Sequence, residues 1–349
     1  MESLLGIIFH SIGGFSSGSF YMPFKKVKNW AWESYWLVGG FFSWLIVPPI
    51  AAYLTIPNFV EIIAAASPAI KAFTYSMGLI WGIGGLTYGL GVRYLGMSLG
   101  NSIVLGFCSA FGALVPSIYY NFYPTEGKIS FTDMLHSTGG QLVLVGVVVC
   151  LIGIAISGKA GILKEKDFAV GHEDKDKDFN LTKGLIIAVI SGILSSFFNY
   201  GIEGGKPMAE AAVVSGCNPL FQNNVTYIVL LWGGLTTNFV WCMYLNFKNK
   251  TFGDYTNKQS PITKNILFSA LAGTMWFLQF FFYGMGESKL GNGASSWILH
   301  MATIILTANF WGFYLKEWKG VSKKTFNTFL WGIGLIMLSI VLVGIGNSL

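Results

Sequence analysis

The sequence predicts an all-α polytopic membrane protein, with ten transmembrane helices in two five-helix inverted repeats. Three observations predict it: long apolar stretches between clustered charges, a lopsided distribution of lysine and arginine, and a Trp–Tyr–Gly pattern that occurs twice. Of the 349 residues, 53% are hydrophobic and only 11% are charged. A run of about 20 apolar residues crosses a hydrocarbon core of roughly 30 Å at 1.5 Å per residue. Segments such as 141–156 and 333–345 are apolar all round. Lipid offers the backbone no hydrogen-bond partner, and the runs lack the alternation of a barrel strand, so they must be helices.

The spans fall near 4–21, 34–56, 70–93, 98–121, 138–157, 183–203, 220–246, 264–287, 291–315 and 325–347. The first turns apolar at Leu4 without a basic leader, so it reads as a retained helix rather than a cleaved signal. It carries His10, with Gly14, Ser17 and Tyr21 on the same face. The second opens at Glu33, just after the basic run Lys25-Lys26-Val27-Lys28. A sign-alternating charged segment follows the fifth span. It divides the chain into a first repeat (1–157), a charged cytoplasmic linker (158–182) and a second repeat (183–349). The sixth span places Ser196, Asn199 and Glu203 at helical spacing, and the ninth places Ser296, Thr303 and Thr307 on the face of His300.

Charge sets the orientation. With the inter-span loops numbered in order, the odd ones hold 18 of the 22 Lys and Arg residues and the even ones hold Lys71, Lys128, Lys206 and Lys289. The positive-inside bias puts the odd loops in the cytoplasm and both termini in the periplasm. The net charge of +6 is therefore a topology signal and not a nucleic-acid footprint.

The duplicated pattern sits on the third and eighth spans. Gly78, Trp81, Tyr88, Gly91 and Leu95 are matched by Gly273, Trp276, Tyr283, Gly286 and Leu290. The first copy ends inside, at Arg93, and the second ends outside, at Glu287. One pattern running both ways through the membrane is the mark of an inverted-topology repeat, an architecture typical of carriers.

Ionisable groups within spans are costly and are read as functional candidates. His10 and His300 lie near mid-span, where an imidazole could take up a coupling proton, or could be a neutral interhelical hydrogen-bonding group. Glu33 is a third proton-coupling candidate, against a plain helix-start carboxylate. Trp81 and Trp276 lie too deep for an interfacial belt. An indole offers an apolar face and an edge donor, which suits a sugar ring. With Tyr88, Tyr283, Gln279 and Asn199 they are the candidate substrate contacts, and packing against nearby glycines is the alternative. The chain has no P-loop, zinc-ligand spacing or nucleophile elbow, and its four cysteines are scattered. Neither an enzyme, nor a cofactor, nor a metal site is expected.

These residues lie in runs that resemble the bacterial L-rhamnose–proton symporters, of the drug/metabolite transporter superfamily. The runs are Phe20–Glu33, Trp81–Gly84 with Tyr88-Gly-Leu, and Arg93–Gly100 in the first half. In the second half they are Lys206–Ala212, Met275–Tyr283, Ser296–Met301 and Leu315–Trp318. The resemblance implies ten helices in the bacterial inner membrane and import of L-rhamnose, or a closely related deoxy-hexose, with a proton by alternating access. His10, Glu33, Tyr88, Arg93, Glu210, Gln279 and His300 fall inside those runs, and Glu203 and Glu287 fall outside them. The expected partners are a small sugar, protons and the lipid bilayer. An exporter of metabolites or drugs on the same fold, or sodium-coupled sugar uptake, would have much the same sequence signature.

Overall fold

The computed structural model describes residues 2–124, 129–171, 179–290 and 293–349. Every regular element among them is a helix, and no strand occurs. The long helices are α1 (Glu2–Ser19), α2 (Trp32–Thr55), α3 (Pro68–Leu95), α4 (Met97–Phe122) and α5 (Thr138–Gly171). They continue as α6 (Leu181–Val214), α7 (Asn224–Asn249), α8 (Ile262–Leu290), α9 (Gly293–Tyr314) and α10 (Lys323–Ser348). Among the described residues, six helical segments are long and apolar enough to cross a membrane, those of α2, α5, α6, α7, α8 and α10. Their outer faces expose large apolar side chains, such as Trp331 and Phe247 at 71% and 79%. Such exposure is unfavourable in water and ordinary against lipid. The chain is a multi-pass membrane protein.

Two local features depart from the simple ten-rod expectation. The helix of the fifth span runs on to Gly171, so the first part of the charged segment is helical. Its Lys164 is buried there, with its ammonium 4.8 Å from the Trp318 ring centroid and 5.2 Å from that of Phe179. Residues 172–178 of that segment lie outside the described residues. The sixth span is longer than expected and breaks at Ser196, between Leu181–Ser195 and Phe197–Val214.

The helices pack as two compact units, each drawing on both halves of the sequence. One comprises Met1–Ile83 with Phe197–Lys289, the other Gly84–Ser196 with Leu290–Leu349.

In the first unit, the glycines of the duplicated pattern sit where backbones nearly touch. A Cβ on Gly78 of α3 would stand 1.9 Å from the Leu230 carbonyl oxygen of α7. The matching Gly273 of α8 meets the Gly39 carbonyl of α2 at 2.0 Å. Only hydrogen at these positions permits the approach, which replaces the missing hydrophobic drive between helices in lipid. Polar side chains then lock the contact. Asn238 of α7 accepts from Trp36 Nε1 at 2.9 Å and donates to the carbonyls of Gly82 and Gly234. Beside one lysine-rich loop, Asp254 accepts from Ala31 N–H and Ser34 Oγ, each at 2.7 Å, at the start of α2.

In the second unit, α5 and α10 run against each other through small residues. Cβ atoms on Gly146, Gly153 and Gly332 would collide with Val343, Ile336 and Ser157. Two carboxylates close helix starts contributed by other segments. Glu317 accepts from the Met97 and Ser98 amides, at 2.9 and 3.1 Å, where α4 begins. Asp167 accepts from Ser322 N–H and Thr325 Oγ1 where α10 begins. A carboxylate at a helix N-terminus satisfies orphan amides and complements the macrodipole.

Candidate functional site

The first unit holds seven of the nine candidate residues, His10, Glu33, Trp81, Asn199, Trp276, Gln279 and Tyr283; the second holds Tyr88 and His300. Trp276 is the best placed of them. With Phe20, Trp36, Ser43, Trp44 and Gly273, among others, it lines a small cavity of about 10 Å³. Phe20 stands edge-on to Trp276 at 4.3 Å between centroids, and Trp36 stands at 6.4 Å. Space on the order of 10–15 Å³ admits one water-sized body. A sugar ring is several times larger, so it would enter only if the walls separate.

Trp44 ties the two repeat tryptophans into one aromatic cluster. It lines the cavity with Trp276, and its ring stands at 88° to that of Trp81, 6.4 Å away. Trp81 packs in turn on Phe198 and Phe280 at 5.0 and 5.7 Å. Both repeat tryptophans are buried within their unit.

Along α8, Trp276, Gln279 and Tyr283 follow at i, i+3 and i+7 and share a face. Gln279 is buried and donates from Nε2 to the Trp276 carbonyl at 3.1 Å. His10, fully buried on α1, meets the far end of that face. Its ring lies edge-on to Tyr283 at 5.4 Å, and a Cβ on Gly286 would come within 2.5 Å of its Nε2. Seven residues of helix rise, roughly 10 Å, therefore separate the aromatic wall from an imidazole.

The remaining candidates lie on other helices. Glu33 is buried beside a lysine-rich loop, where Asn249 Nδ2 and Thr251 Oγ1 donate to its Oε1 at 2.9 and 3.0 Å. Asn199 is half-buried, just beyond the break in α6. In the second unit Tyr88 is buried and donates its hydroxyl to Asn101 Oδ1, and Asn101 donates to the Met97 carbonyl. His300 is buried in α9. Among the described residues no group of His, Cys, Asp and Glu is arranged to hold a metal ion.

Sequence reasoning missed Phe20, Trp36, Ser43, Trp44 and Asn238. A signal was present in Pro48-Pro49, two prolines inside an apolar span. Proline lacks the N–H of the helical ladder and its ring presses on the carbonyl four residues back. Just upstream the helix widens into a π-turn, Phe41–Ile46, a distortion that recurs at functional sites.

Comparison with known proteins gives the family. Residues 2–348 match the family model described as L-rhamnose-proton symport protein (RhaT). The chain is 40% identical over 350 residues to the L-rhamnose-proton symporter of Yersinia pestis (strain Pestoides F), covering 99% of this chain and 98% of the relative. Identity and coverage are the same against the L-rhamnose-proton symporter of Yersinia pseudotuberculosis serotype O:1b (strain IP 31758).

Proposed function

Because the chain belongs to the L-rhamnose-proton symport protein family, we propose that it imports L-rhamnose, or a closely related deoxy-hexose, together with a proton. Transport is by alternating access, through ten spans in two inverted five-helix repeats, in the bacterial inner membrane with both termini periplasmic. The superfamily is that of the drug/metabolite transporters.

The observation that carries the reading is the small aromatic cavity walled by Trp276, a tryptophan of the duplicated pattern. In this proposal the sugar stacks its C–H face on Trp276, and the remaining substrate contacts are Trp81, Tyr88, Gln279, Tyr283 and Asn199. His10, His300 and Glu33 are the proposed proton-coupling residues. His10 is the one with a visible link to the sugar wall, because Tyr283 and Trp276 lie on one face of α8. Sugar and proton must favour each other's binding, by roughly 1–3 kcal/mol for an ordinary coupling.

The test is uptake of labelled L-rhamnose into proteoliposomes with an imposed pH gradient, acidic on the side of sugar addition. Accumulation above the external concentration, abolished by a protonophore, is expected. Entry that ignores the gradient removes the proton, and no entry under any gradient removes the substrate class.

A further inference from the structure

Two residues of the cavity wall each carry a polar atom buried without a hydrogen-bond partner, Ser43 Oγ and Trp44 Nε1. Each residue is only 2% exposed. A serine or threonine inside a regular helix ordinarily turns its hydroxyl back to the carbonyl four residues earlier, as Ser102, Thr274 and Thr303 do here. Ser43 lies in the π-turn that precedes Pro48-Pro49, where that return bond is not made. The distortion leaves two adjacent residues of the cavity wall with unpaired polar atoms, buried just behind a lining of rings and small apolar residues. Buried polar groups left unmade are unfavourable and call for a partner.

We infer that Ser43 and Trp44 form the polar rim of the sugar subsite, pairing with two hydroxyls of the deoxy-hexose that stacks on Trp276; this rests on the proposed symport of L-rhamnose. Trp44 Nε1 donates to one ring hydroxyl. Ser43 Oγ donates to or accepts from its neighbour. The deoxy carbon lies among the apolar walls, near Phe20 and Phe24. A sugar with a hydroxyl on that carbon would bury it unpaired, so the subsite rejects L-mannose, which differs from L-rhamnose only there. The matching stretch of α7 is regular α-helix, so this rim belongs to one repeat and breaks the symmetry between them.

The test is calorimetric titration of L-rhamnose into the purified full chain in lipid nanodiscs, comparing wild type with Ser43→Ala and Trp44→Phe. Each variant removes one polar atom and keeps most of the packing. Each is expected to raise the Kd for L-rhamnose roughly tenfold, the weight of one buried hydrogen bond. Ser43→Ala should unfold at the wild-type temperature or above it, because it deletes an unpaired buried hydroxyl, so lost binding there cannot be lost folding. Wild type should bind L-mannose at least roughly tenfold more weakly than L-rhamnose. Wild-type affinity for L-rhamnose in both variants would overturn the rim and leave the symport reading standing. Absence of L-rhamnose binding to wild type would overturn the substrate reading, and the rim with it.

Discussion

Gly273→Ala probes the packing that positions the site. A Cβ there would lie 2.0 Å from the Gly39 carbonyl oxygen, whereas a comfortable C···O contact is roughly 3.3 Å. The opposing atom is backbone, so no rotamer change relieves the overlap, and α8 must move off α2 by about 1 Å. Overpacking of this kind costs about 1–3 kcal/mol, and a backbone clash falls at the upper end. Alanine returns about 1 kcal/mol of helix propensity, leaving a net loss of about 2 kcal/mol. Gly334→Ala on α10 is the matched control: nothing lies within 4 Å of its added Cβ, so only the propensity gain remains. The two variants should differ by about 3 kcal/mol, or roughly 5 °C in unfolding midpoint. The four cysteines are free and buried, so a thiol-reactive dye reports unfolding without a label. Equal midpoints for both variants would refute the close approach of α2 and α8.

Further outcomes are expected. Asn238→Leu strands the Trp36 indole donor and the Gly82 carbonyl, and should cost about 2–3 kcal/mol in the same thermal assay. Glu317→Ala uncaps the Met97 and Ser98 amides and should cost about 1–2 kcal/mol, with Glu317→Gln, which keeps an acceptor oxygen, losing less. Trp276→Phe keeps an aromatic against Phe20 but narrows the stacking face; uptake kinetics should show KM raised roughly tenfold with little change in unfolding midpoint. His10→Gln and His300→Gln should each be measured for uptake against pH. A flattened profile in at least one is expected, and unchanged profiles in both would remove both imidazoles as proton carriers.

What could be read in advance depended on the range of the interactions. The helices follow from apolar runs bounded by lysines, a local signal, and the duplicated pattern singled out Trp276, which lines the cavity. Division into packing units was hidden, because the boundaries at Ile83 and Ser196 fall inside α3 and α6 with no shift in composition. The helix-capping carboxylates were hidden too. Asp254 reads as a solvated loop charge until it meets Ala31, 223 residues earlier in sequence. Glu33 opened its span as expected, yet its partners Asn249 and Thr251 come from the far end of α7 and the turn just after it. Trp44 looked like one of many span tryptophans. Only the π-turn upstream of Pro48-Pro49 carries it to the cavity beside Trp276, and no helical periodicity anticipates a turn of that pitch.

Proton movement evoked by sugar tests the central claim most directly. Proteoliposomes are held in weakly buffered medium with a pH-sensitive dye outside, at equal pH across the membrane and without sodium, and L-rhamnose is added. The proposed symport predicts alkalinisation of the medium in step with sugar entry, absent in empty liposomes. Sugar entry with no alkalinisation, or entry that begins only when sodium is supplied, would contradict it.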